Sequence, residues 1–78
     1  VLSTASLTEA NLSDARLAIT KLTNANLTGT ELSGADLRDA DLTNANLTEA
    51  NLAGAILDGV IGAEFTGALN VPERYLKD

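Results

Sequence analysis

Seventy-eight residues make one small domain, and without Cys or His it has neither a disulfide framework nor the commonest general base and metal ligand. A formal charge of -6 argues against gripping a nucleic-acid backbone or an anionic membrane surface, both of which recruit Lys and Arg. Phe65 and Tyr75 are the aromatic residues, and no apolar run reaches the length of a membrane span or a signal h-region.

The chain enters a five-residue phrase at once, at Val1-Leu2, as a fragment or processed product would. Leu then occupies every fifth position from Leu2 to Leu57. A period of five suits neither regular element. On an α-helix successive Leu would step by about 140° and smear around the axis. On a flat strand an odd spacing sends alternate Leu to opposite faces. The density of Asn, Asp, Ser and Thr favours turns over both. All the Leu point one way if the chain bends once per repeat and winds around a closed path. Leu then fills the centre, the Ala two residues earlier is a small inward residue beside a bend, and the other three positions face water. Charges choose the number of sides. With four repeats per coil, residues twenty apart stack about 4.8 Å from each other, and Arg16, Lys21 and Arg38 stand over Asp36, Asp41 and Asp58. Three sides would set Glu49 against Glu64, and five would set Asp14 against Asp39, which like-charge repulsion disfavours.

In chain order, residues 1–20 form a first coil, with Ile19 out of pattern in an outward slot as a lone surface apolar residue. Residues 21–40 form a second. Thr20 and Thr30 take the small inward slot, where a hydroxyl has to find a backbone partner. Gly29, Gly34, Gly54, Gly59, Asn24 and Asn44 share the last slot of the repeat, which marks it as a corner with positive φ. Residues 41–60 form a third coil. There Ile56 and Ile61 enter the Asp/Asn slot, Gly62 stands where Leu is due, and Ala63-Glu64-Phe65 restarts the phrase out of register. Asn70, with Glu73 three residues on, reads as the capping box of a short helix over Val71–Lys77 that lids the coil. The expected division is thus a β-helix over 1–69 and a C-terminal capping helix over 70–78. Ile56, Ile61, Phe65 and Leu76 read as cap core.

The tripeptides Ala10-Asn11-Leu12, Ala25-Asn26-Leu27, Ala35-Asp36-Leu37, Ala40-Asp41-Leu42, Ala45-Asn46-Leu47 and Ala50-Asn51-Leu52, held in one register, resemble the pentapeptide-repeat family. The resemblance covers about residues 1–60 and extends to 69. It implies an all-β fold, a right-handed quadrilateral parallel β-helix, here a solenoid of about four coils with the short helix as its cap. Family members are common in bacteria, many of them cyanobacterial, and in plant plastids. A soluble protein of the bacterial cytoplasm, the periplasm or the thylakoid lumen would fit.

Catalysis is hard to build from these residues. Ser and Thr lack an activating base beside them, no loop converges oxygens for calcium, and a core filled by Leu and Ala leaves no ligand cavity. No catalytic residue, cofactor or metal ligand is assigned, and the chain is read as a non-enzymatic structural or protein–protein interaction module of unidentified partner. Direct nucleic-acid binding and membrane insertion are not expected. The candidate interaction or dimer patch is Ile56, Ile61, Phe65, Tyr75 and Leu76, because the resemblance implies that a homodimer can form through the C-terminal end. The resemblance also raises DNA mimicry toward topoisomerases such as gyrase. A stub of about 20 Å and the interspersed Arg16, Lys21 and Arg38 argue against it. An ice-binding surface is the remaining alternative, suggested by the columns Thr8, Thr28, Thr48 and Ser3, Thr23, Thr43. These columns fall on different sides of the coil.

Overall fold

The computed structural model describes residues 6–76. Single parallel bridges join residues twenty apart: Ser6 to Asn26, Asn11 to Glu31, Arg16 to Asp36, Lys21 to Asp41, and so on to Asp41 with Ile61. Four repeats therefore make one turn of a parallel β-helix, the register that the charges predict. The first side carries Ser6, Asn26 and Asn46, and the second carries Asn11, Glu31 and Asn51. The third carries Arg16, Asp36 and Ile56, and the fourth carries Lys21, Asp41 and Ile61. The molecule measures 28 × 21 × 21 Å, with the two equal short axes of a square section.

The repeat 36–40 shows why this coil forms without extended strands. The Asp36 N–H donates down to the Ala15 carbonyl (2.9 Å), while the Leu37 and Asp39 N–H groups donate up to Ile56 and Asp58 (2.8 and 2.9 Å). The Ala40 N–H closes a turn onto the Leu37 carbonyl (3.0 Å). The fifth amide, on Arg38, donates to the Asp36 Oδ1 at 3.2 Å. Every backbone donor of the repeat has an acceptor, as a buried or half-buried backbone requires. Each side meets its neighbour through one bridge because the two residues after Leu are taken by the corner. The second of these corner residues has positive φ at every described corner from 9 to 59, whether it is Gly29 (68°), Asn24 (62°), Glu9 (61°) or Ile19 (64°). Positive φ at the third residue alone is the pattern of a type II turn.

Leu22 to Leu57 and Ala25, Ala35, Ala40, Ala45, Ala50 and Ala55 form the buried centre. Thr30 is buried among them, and its hydroxyl donates to the Leu7 carbonyl at 2.7 Å, so the expected backbone partner is present. Leu7 and Leu12 are only partly buried. At the other end Val60, Phe65, Val71 and Tyr75 pack against the centre.

The register changes after Ile61. The next bridge on the second side joins Asn51 to Leu69, eighteen residues apart, so the coil is two residues short at one corner. Gly62 makes that corner at φ 68°. A Cβ there would lie 3.0 Å from the Thr43 Cα and 2.6 Å from its Oγ1. Phe65 then takes the Leu slot and closes the turn Phe65–Ala68, with the Ala68 N–H on the Phe65 carbonyl at 2.9 Å, so the phrase restarts out of register where the sequence places it. The terminal helix differs from expectation. It is a three-residue 3-10 turn, Glu73–Tyr75, entered from Pro72 with no side-chain cap. Asn70 is no N-cap: it directly follows the last bridge residue, Leu69, at φ 58°, and its Nδ2 donates sideways to the Asn51 Oδ1 at 3.0 Å. Lys77 and Asp78, the end of the expected helix, lie outside the described residues.

Candidate functional site

The charged residues stack in the predicted columns but choose other partners. Arg38 was expected over Asp58, and Asp36 opposite Arg16. Arg38 instead forks onto Asp36 within its own repeat, Nη2 to Oδ2 at 2.7 Å and Nε to Oδ1 at 2.9 Å. Residues flanking an extended Leu point to the same side, and the guanidinium matches a carboxylate in two parallel bonds. The Arg38 side chain and amide hold the Asp36 carboxyl at about 2, down from the ordinary 3.8, with Arg16 adding a smaller push. The Arg38 guanidinium is raised in turn, chiefly by its hydrogen bond to Asp36. Asp41 is lowered mainly by the Thr43 hydroxyl and amide, with Lys21 acting only through its charge. The Thr43 contacts are 2.6 and 3.1 Å.

Asp58 belongs to the C-terminal end. It accepts from the Tyr75 hydroxyl at 2.7 Å and pairs with Arg74 at 3.6 Å. The same hydroxyl accepts the Leu57 N–H at 3.0 Å. In earlier coils the corresponding Leu amide reaches a carbonyl of the next turn, so the Tyr75 side chain stands in for the missing turn. Arg74 lies over the Tyr75 ring, 4.7 Å from its centroid. None of this junction is evident from the charge columns, since Tyr75 reaches Asp58 from seventeen residues away.

The residues of the candidate patch separate into two groups. Phe65 and Tyr75 are half-buried against the core. Ile56 is half-buried on the third side. Ile61 and Leu76 are 55% and 57% exposed, so they do not join the cap core as expected; Ile61 keeps the outward slot of its side, and Leu76 follows the last turn. One residue carries a backbone strain that sequence reasoning missed. Ile19 is 76% exposed and stands in the left-handed corner at φ 64°. The signal was its slot, which Gly and Asn fill elsewhere. The threonine columns do lie on different sides, Thr28 and Thr48 on the first and Thr43 on the fourth. Their hydroxyls are bound to Asn26, Asn46 and Asp41 at 2.6–2.7 Å. Among the described residues there is no pocket, no cluster of side chains able to hold a metal ion, and no helix long and apolar enough to cross a membrane.

Residues 20–59 and 45–69 match the family model for pentapeptide repeats, with eight copies. Among solved structures, the chain is similar to a pentapeptide repeat protein from the cyanobacterium Cyanothece 51142, with 36% identity and a TM-score of 0.63 over 83% of this chain and 46% of that one. It is also similar to a pentapeptide repeat protein from Nostoc Pcc 7120, with 32% identity and a TM-score of 0.57 over 85% of this chain and 60% of that one. The chain thus spans about half the length of the solved structures it matches. No curated protein matches it.

Proposed function

This chain belongs to the pentapeptide-repeat family, whose members form right-handed quadrilateral β-helices, and on that premise we propose that it is a non-enzymatic module presenting rigid polar sides to a protein partner. The observation that carries this reading is the repeat's own bookkeeping. The backbone donors of a repeat such as 36–40 are satisfied inside the coil, Leu and Ala fill the centre, and the outward side chains are left to act. A short stack of coils closed by the Glu73–Tyr75 turn is a stiff platform for such contact. The contact surface of choice is the C-terminal end, where Ile56, Ile61 and Leu76 flank the seated Phe65 and Tyr75, because this is where the outward slots turn apolar.

The test is cross-linking capture from the native host with the wild-type protein and with an Ile61→Asp, Leu76→Asp double variant. A stoichiometric partner held by the wild type and lost by the variant is the expected result. Equal recovery by both proteins would sink the assignment of this end. Topoisomerase binding and ice binding gain no support, since the molecule is only 28 Å long and the Thr28, Thr43 and Thr48 hydroxyls are tied to their own repeats.

A further inference from the structure

The four sides differ in charge. The first and second sides with their corners carry Glu9, Asp14, Glu31, Glu49 and Glu64 and, among the described residues, no Lys or Arg. The third and fourth sides hold Arg16, Lys21 and Arg38 among Asp36, Asp39, Asp41 and Asp58, and Arg74 neutralises the last of these. Half of the coil surface is therefore uniformly acidic, and the other half is balanced. Of the exposed large apolar residues, Ile61 lies on the fourth side and Ile19 on the corner between the third and fourth, while Leu69 lies on the second.

Ile19 is costly where it stands. A β-branched side chain in the left-handed region is a steric outlier, and Asn24, Asn44 and Gly29 make the equivalent corner without that strain. An exposed apolar residue held in a strained conformation invites a functional explanation. We propose that a second copy of this chain docks side-on against the corner between the third and fourth sides, with Ile19 in the contact. Two copies meeting through their acidic halves would repel, whereas the balanced half, with Asp36, Asp39, Asp41 and Asp58 set against Arg16, Lys21, Arg38 and Arg74, meets a copy of itself without net repulsion. A two-fold arrangement, usual for pairs of identical chains, sets the coil bearing Arg16, Ile19 and Lys21 against the copy's coil bearing Ile56, Asp58 and Ile61. It leaves the acidic halves facing outward. One side of the molecule, 28 by 21 Å, is smaller than the roughly 800 Å² per partner of a standard interface, so the pair is weak and depends on concentration.

The chain has no Cys, so a single introduced thiol can cross-link only to another copy. Sedimentation velocity of the whole chain from about 10 µM to about 1 mM, a range suited to an interface of this size, should show reversible dimer. Ile19→Asn, which places a residue already used at this corner, should weaken the dimer at least tenfold while raising the thermal midpoint. On mild oxidation Ile19→Cys should form covalent dimer at least tenfold faster than Glu49→Cys on the acidic half. Monomer at every concentration, or an Ile19→Asn dimer as strong as wild type, would overturn the proposal. So would faster cross-linking of Leu76→Cys than of Ile19→Cys, which instead reports pairing through the C-terminal end.

Discussion

Where Asn or Asp precedes Leu, its side chain serves the backbone before it serves the surface. Asn46 Oδ1 accepts the Thr48 N–H at 3.0 Å, and Asn11, Asn26, Asp36, Asp41 and Asn51 do the same two residues ahead. This is the local side-chain bonding that Asn and Asp favour in turns. Asn46→Ala should cost about 1 kcal/mol in urea unfolding, and Asn46→Asp much less, because the acceptor survives. Asp36 adds an ion pair to the same bond, and its acid response has a definite sign. Its carboxyl is depressed in the folded state to about 2, so its contribution is present above the ordinary value near 4. It is lost as pH falls through the folded value. Urea midpoints measured from neutral pH down to about 2 should therefore fall less steeply for Asp36→Asn than for wild type. At Ile19 the prediction runs toward greater stability. Replacing a β-branched residue at φ 64° with Asn should add about 1 kcal/mol, read as a higher urea midpoint with an unchanged slope.

At the scale of the element, the coil ends by two devices that interrupt its own rules. The first is the shortened corner at Gly62, where any Cβ presses on Thr43 backbone. Gly62→Ala must displace that backbone and strain a positive φ, and a loss of about 1–2 kcal/mol is expected. The second is the Tyr75 hydroxyl, which receives the Leu57 amide and binds Asp58. Tyr75→Phe leaves that amide without its acceptor. Hydrogen exchange should accelerate at Leu57 and leave Leu17, two turns below it with its amide on the Asp36 carbonyl, near its wild-type rate. Equal acceleration at both would show that the cap supports the whole coil and not its last turn. Asn70 illustrates how a local rule fails here. A capping box needs its residue at the helix entrance, which is Pro72, but Asn70 still follows the bridge residue Leu69 and its side chain bonds Asn51 of the coil.

At the scale of the molecule, the structure is a stack in which each turn touches only its neighbours, and stability is expected to vary along the axis accordingly. Leu37 is buried with turns on both sides. Leu37→Ala should cost about 3–5 kcal/mol, whereas Leu12→Ala, at a partly buried position of the first turn, should cost less than half as much. Chemical denaturation of the two variants checks this gradient. The same axis explains the placement of interaction residues. The interior of the stack is occupied by the repeat's own bonds, so variation is tolerated at corners and at the last turn, where Ile19, Ile61 and Leu76 stand exposed.

The amino-acid sequence by itself determined the coil, because a five-residue Leu period has one way to keep every Leu inside. It also marked the inward Ala and Thr positions, the corner slot that requires positive φ, and the slip after Ile61. The twenty-residue register was legible through the charges, although backbone hydrogen bonds set it and the charges merely accompany it. What the tertiary structure alone decided is which side chains meet. Arg38 takes Asp36 and leaves Asp58 to Arg74 and Tyr75, since reach and direction, not column membership, govern a flexible guanidinium. The separation into an acidic half and a balanced half is likewise a property of the closed coil. It becomes visible only when residues far apart in the chain are stacked on one side.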